Sequence, residues 1–286
     1  MIELLALYTG AIFSGLLCAT ALALLGCHLA SRDQSLQSLV VSQAATVGVL
    51  LGAAAMIGNH RHFGSSALPL LAGLITATLF YFIGEQLTGA RRTGKTNIYL
   101  ALFTLLLAVS YWLISYFPAL ESHMSQAFFG DIVTLTGTTL WFTSCVSSAV
   151  LLLLLLRRKP FVNDSFIISI VGVSHVEQPL YFHLFRGITL LLISSSIYAM
   201  GLLFTIAFLL LPTVVFSFTR KASIRLHLRL VTLTAATGFI AGFVLSLYFD
   251  RISTVPTIVL TTGLLSATVL VVINLLTTSD REKPLR

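Results

Sequence analysis

The chain has 286 residues, of which 57% are hydrophobic and only 9% charged, with a mean hydropathy of +0.97. A soluble domain carries about 25% charged residues, so these figures exclude a water-soluble enzyme or binding module and place function in what crosses a membrane or docks on it. The net charge of +7 falls in the gaps between apolar runs, where it acts as a topology signal and calls for no nucleic-acid partner.

A spanning helix needs roughly 20 apolar residues, because each rises about 1.5 Å through a hydrocarbon core of about 30 Å. In chain order, spans are predicted over residues 4–29, 36–57, 67–87, 98–117, 139–156, 180–199, 201–218, 230–249 and 255–277. The fold class is therefore an all-α polytopic membrane protein of eight or nine helices. The sixth and seventh runs merge through Ser194-Ser195-Ser196 and Met200-Gly201, and read either as two spans or as one long span with a re-entrant piece. The first run has an acidic Glu3, no basic n-region and no small-residue cleavage site, so it reads as a retained span. Residues 1–278 form one transmembrane domain and 279–286 a short tail on the cytoplasmic side. Cys18, Cys27 and Cys145 lie within spans and read as small buried hydrophobes. Gly48 with Gly52 and Gly238 with Gly242 are four-residue pairs that let helix backbones approach.

Orientation follows from the basic clusters: Arg91, Arg92 and Lys95; Arg157, Arg158 and Lys159; Arg220, Lys221, Arg225 and Arg229; Arg281, Lys283 and Arg286. With nine spans all of them fall on one side, which the positive-inside rule makes cytoplasmic, leaving the N-terminus outside and the C-terminus inside. This agreement favours nine spans over eight. The stretch GARRTGKT at 89–96 matches the phosphate-binding loop pattern G-x-x-x-x-G-K-[ST]. That pattern counts only between a strand and a helix of a soluble α/β domain. Between two membrane spans it reads as a basic loop, and any ATP used is bound by another chain.

Three stretches carry a resemblance: GCHLASRDQSLQSLVVSQAATVG at 26–48, FFGDIVTLTGTTLW at 128–141 with Phe129, Gly130, Asp131 and Trp141, and residues 164–213, which hold Asp164 and Gly172 and end in MGLL and LLPT. Together they resemble the permease subunits of ABC importers for zinc, manganese and iron. The resemblance implies a fold related to cobalamin and siderophore permeases, in a bacterial plasma (inner) membrane. It implies a homodimer with a pore on the shared axis, a cytoplasmic ABC ATPase dimer that carries ATP and Mg, and an extracytoplasmic substrate-binding protein. No cofactor is expected on this chain, and no catalysis.

Within that frame, residues 160–178 correspond to the segment that couples to the ATPase. In 164–173, Asp164 takes a helix-start position, Ile168 lies in a short apolar run, and Gly172 marks a stop. An exposed apolar helix needs a groove on a partner; the alternative is a helix lying on lipid. The family carries an Asp and a His four apart on the second span, at the positions of Leu39 and Gln43. One helical turn brings such a pair to one face, where carboxylate and imidazole suit a divalent cation. This chain keeps the neighbour Ser42 and has neither ligand. Either the cation passes hydrated or chelated, or other residues bind it, or the cargo is not a bare metal ion.

Pro212 should kink the seventh span, beside the translocation path by resemblance or through packing alone. On the outer side His60, His62, Glu121 and His123 are candidate metal residues or solvated loop residues. His28, His183 and His227 read as interfacial anchors. Arg186, about two turns into the sixth span, pairs with a carboxylate or snorkels to the basic face, and snorkelling is expected. Glu85 lies near the inner end of span three. An intramembrane enzyme is disfavoured, because no span holds an Asp pair or an H-E-x-x-H.

Overall fold

The computed structural model describes residues 8–57, 67–89, 94–130, 132, 137–170, 179–217, 224–249 and 253–279. A bilayer core offers no water to backbone N–H and C=O groups, so an apolar run must satisfy them within itself, as a helix. Among the described residues there are accordingly eleven α-helices and no strand. In chain order they are α1 (Thr9–Ser31), α2 (Ser35–Ile57), α3 (Leu68–Thr88), α4 (Lys95–Tyr116), α5 (Glu121–Phe129), α6 (Gly137–Leu156), α7 (Arg158–Ile170), α8 (Pro179–Met200), α9 (Leu202–Ser217), α10 (Ile224–Tyr248) and α11 (Thr254–Ser279). A one-turn 3₁₀ helix, Pro118–Leu120, leads into α5.

Eight of these helices are long and apolar enough to cross a membrane, and α9 is shorter. The backbone reverses between α8 and α9 at Gly201, where φ is +86°. The hydroxyl pair Ser196–Thr205, at 2.7 Å, closes the hairpin. The sixth and seventh runs are thus two antiparallel helices rather than one long span. At its far end α9 lies on α1, with Cys27 Sγ 3.9 Å from Thr213 Oγ1. The helix continues through Pro212 to Ser217.

The helices α1 and α2 are the most enclosed, whereas α3, α4 and α11 turn most of their surface outward. Apolar side chains gain little by leaving lipid for each other, so close packing of small residues holds such bundles together. A Cβ on Gly48 would lie 2.4 Å from the Ala72 carbonyl oxygen of α3, and one on Gly242 2.5 Å from Ile258 Cα of α11. Both glycine pairs therefore serve contacts within one subunit. A Cβ on Gly26 would lie 2.0 Å from the Leu209 oxygen, so α1 and α9 also cross backbone to backbone.

One end of the bundle gathers the C-terminal ends of α1, α3 and α6 and the N-terminal ends of α2, α4, α8 and α10. Arg32 after α1 touches α7 and α8, and Glu85 of α3 touches Arg186 of α8. Every Lys and Arg among the described residues is in this half: Arg32, Lys95, Arg157, Arg158, Lys159, Arg186, Arg225 and Arg229. The opposite end exposes Trp112, Tyr116, Trp141 and Tyr248, with Trp112 stacked on Tyr116 at 5.7 Å. An aromatic girdle of this kind marks a membrane–water boundary.

Four sequence expectations are corrected. The gap left between the predicted spans 98–117 and 139–156 is not all loop: α5 occupies Glu121–Phe129 and packs against α2, α8 and α9. Cys145 is exposed on α6, while Cys18 and Cys27 are buried as expected. His28 is buried rather than interfacial, with its ring edge-on to Phe161 and Phe185 at 6.3 and 6.1 Å. Arg186 does not snorkel, because Glu85 lies within reach and its Nη2 binds both oxygens of that carboxylate. Pairing removes the cost of an isolated charge at membrane depth. The rings of Tyr81, Phe182 and Phe82 surround the guanidinium at 4.8, 5.0 and 5.1 Å.

Candidate functional site

The α2 face comes first. Gln43 is fully buried, and its Nε2 donates to Ser110 Oγ of α4 at 3.1 Å. Ser110 Oγ in turn donates to the Leu106 carbonyl at 3.1 Å. The Gln43 amide oxygen has no hydrogen-bond partner among the described residues, and neither does the buried Ser42 Oγ. Leu39 is half-buried one turn below Gln43. These residues thus face protein, with an unused amide oxygen and hydroxyl in an uncharged setting. Such a pair can accept hydrogen bonds from a hydrated or chelated ion, but it lacks the anionic charge that a tight divalent site needs. Pro212 is buried on α9, next to Thr213.

The second constellation lies where α7 meets the basic end of the bundle. α7 begins at Arg158, so Asp164 stands in the middle of a thirteen-residue helix rather than at its start. The helix starts earlier than expected because Pro160 is tolerated in a first turn, where its missing N–H bonds nothing. Asp164 and Ser165 are buried. Burial pushes the Asp164 carboxyl above its usual range, with nearby Arg32 opposing the shift. Arg32 is 4% exposed, and burial lowers it to about 10 against the opposing pull of Asp164 and Tyr81. Its Nε donates to Ser165 Oγ at 3.0 Å and its Nη2 to the Phe161 carbonyl at 3.4 Å, while its guanidinium sits 3.7 Å over the Phe185 ring. The backbone of α7 is described as far as Ile170, but the side chain of Ile168 and all of Gly172 lie outside the described residues.

The third constellation joins two of the sequence motifs. Gly130 (φ +69°) ends α5, and its backbone lies against Met200 and Gly201 (φ +86°) at the α8–α9 reversal. A Cβ on Gly130 would stand 1.8 Å from the Met200 oxygen, and one on Gly201 2.5 Å from the Gly130 nitrogen. The glycines of FFGD and MGLL therefore form one backbone contact, which explains both. Phe129 and Trp141 are exposed, and Asp131 lies outside the described residues.

The outer candidates do not assemble. Glu121 is exposed at the first turn of α5. His60, His62 and the side chain of His123 lie outside the described residues. No group of three or more metal-ligating side chains occurs among the described residues. Arg32 was missed by sequence reading, because attention to basic clusters passes over a lone arginine next to an aspartate. The available signal was its position three residues past the first predicted span, 4–29.

This bundle, with exposed aromatic residues at one end and the basic residues at the other, defines a multi-pass membrane protein. The model of the ABC 3 transport family matches residues 5–276, and the chain belongs to that family. It is similar to the manganese transport system membrane protein MntC of Halalkalibacterium halodurans, with 23% identity over 85% of this chain and 78% of that protein. It is also similar to the chelated iron transport system membrane protein YfeD of Yersinia pestis, with 26% identity over 95% of this chain and 86% of that protein. The fold matches a structure of PsaBC from Streptococcus pneumoniae in complex with Fab, at a TM-score of 0.72 and 19% identity over 91% of this chain and 89% of that one.

Proposed function

We propose that the chain is the membrane-spanning subunit of an ABC importer for a divalent metal ion (zinc, manganese or iron). Two copies form the pathway, an extracytoplasmic protein delivers the cargo, and a separate ATPase with its own ATP and Mg docks on α7. The basic end faces the cytoplasm of a bacterial inner membrane, with the N-terminus outside and the C-terminus inside. Similarity to metal transport membrane proteins across nearly the whole chain is the observation that carries this reading. The charge pattern supports the orientation. The test is ATP-dependent uptake of labelled zinc, manganese and iron into vesicles holding the chain, its ATPase and its binding protein. Uptake of at least one ion is expected.

A second reading, transport of a chelated metal, is favoured by the uncharged Leu39/Ser42/Gln43 face. A conduit must release what it binds, and neutral acceptors suit a cargo whose charge its own ligands already balance. Uptake of a metal chelate by vesicles that ignore all three free ions would select this reading. Failure of both cargoes would end the proposal.

A further inference from the structure

We propose that Arg32 is a positioning residue that couples α7 to α1, α2 and α8, so that movement of α7 is delivered to the helix carrying Leu39, Ser42 and Gln43. This rests on the reading of α7 as the ATPase-docking helix.

The corner that holds Arg32 is stiff. Gln34 N–H bonds the Leu29 carbonyl at 2.9 Å and Asp33 N–H bonds the Ala30 carbonyl at 3.2 Å, with Asp33 in the left-handed region at φ +57°. These two bonds form a Schellman turn, with Arg32 as the C-cap residue of α1. α2 starts at Ser35, directly after it. Orientation of Arg32 is therefore tied to the start of α2, and Gln43 lies about 12 Å further along that helix axis at about 1.5 Å per residue.

From this corner one side chain reaches two further elements. Its Nε and Nη2 bind Ser165 Oγ and the Phe161 carbonyl of α7, and its face covers Phe185 of α8. Ser165 Oγ also donates to the Phe161 carbonyl at 2.7 Å, so acceptor and donor on α7 are fixed to each other. A buried guanidinium is costly unless its donors are paired. Displacing α7 alone would strip those partners, so α7 moves with the corner or leaves a buried charge unpaired. The planar fork supplies two donors and a stacking face at once, which a lysine ammonium cannot. Asp164, buried beside it with one oxygen unpartnered among the described residues, adds an opposite charge.

The test uses the full complex of permease, ATPase and binding protein. In Arg32→Ala, ATPase retention and ATP hydrolysis should stay near wild type, while the ATP consumed per ion imported rises roughly tenfold, within the usual range of coupling factors. Arg32→Lys should fall between. A merely structural role would lower hydrolysis and uptake together, leaving their ratio unchanged, and that result would overturn the proposal. Ser165→Ala and Phe185→Leu each remove one partner and leave the guanidinium in place, so they test the same ratio if Arg32→Ala does not assemble; an unchanged ratio in both refutes it. Spin labels at Lys159 and Leu51, both exposed, give an arm independent of cargo. Their distance distribution in the permease should broaden in Arg32→Ala, and an unchanged width would also overturn the proposal. If wild-type vesicles move no cargo but the width broadens, the transport reading fails and this coupling stands.

Discussion

Single atoms decide the tightest glycine contact among the described residues. At the α5 end, Gly130 and Gly201 meet through backbone atoms, both with positive φ. Gly130→Ala adds a methyl where no space exists and a side chain where the backbone is left-handed. The overpacking costs about 1–3 kcal/mol and the conformation about 1–2 kcal/mol more. Folded yield in detergent should drop sharply, and Gly201→Ala should do the same, whereas Gly187→Ala, with open space around its Cβ, should be neutral. Asp164 makes a prediction about pH. Burial raises its carboxyl above the ordinary value of 3.8, so the folded protein binds its proton more tightly than the unfolded chain does. Between the ordinary value and the raised one, the native state holds more protons, and stability falls as pH rises through that window. Asp164→Asn should remove this part of the pH dependence, seen as a flatter thermal midpoint against pH at the acid end. A slope equal to that of the wild type would show that Asp164 titrates normally.

Among the elements, the α3–α8 contact is held by a charge pair that the sequence alone places only loosely. Removing one partner of a pair at membrane depth leaves the other uncompensated. Glu85→Gln should therefore lower stability by more than the Glu85→Gln/Arg186→Gln double substitution does, measured as thermal midpoint in detergent. Equal losses would mean that the pair contributes nothing beyond its parts. For α2, the substitution of Leu39→Asp with Gln43→His places a carboxylate and an imidazole one turn apart. Metal retained by the purified protein should rise, and import should slow because the site releases its ion less readily. Unchanged metal content would remove α2 from the pathway.

On the scale of the whole molecule, nine crossings are expected, the eight long helices and the shorter α9, and an odd number puts the two termini on opposite sides. A tag after the C-terminus should be reached only from the cytoplasmic side of intact cells, and a tag at the N-terminus only from outside. Both tags on one side would reduce the crossing count to eight. The purified chain by itself should hydrolyse no ATP, because Lys95 opens a membrane helix and the preceding described element is the membrane helix α3; activity lost on Lys95→Ala would contradict this. The spans, the basic end and the family were legible in the residues, because hydrocarbon length, charge placement and short motifs are properties of local sequence. The shorter α9 was legible only as an ambiguity, since its reversal depends on a positive-φ glycine that looks like any other. The charge partner of Arg186, the burial of His28, the helix within 118–138 and the reach of Arg32 were decided by tertiary structure. Each depends on which helices lie side by side, and lipid-facing and protein-facing apolar residues look alike in sequence, because hydrocarbon and protein interior are equally dry.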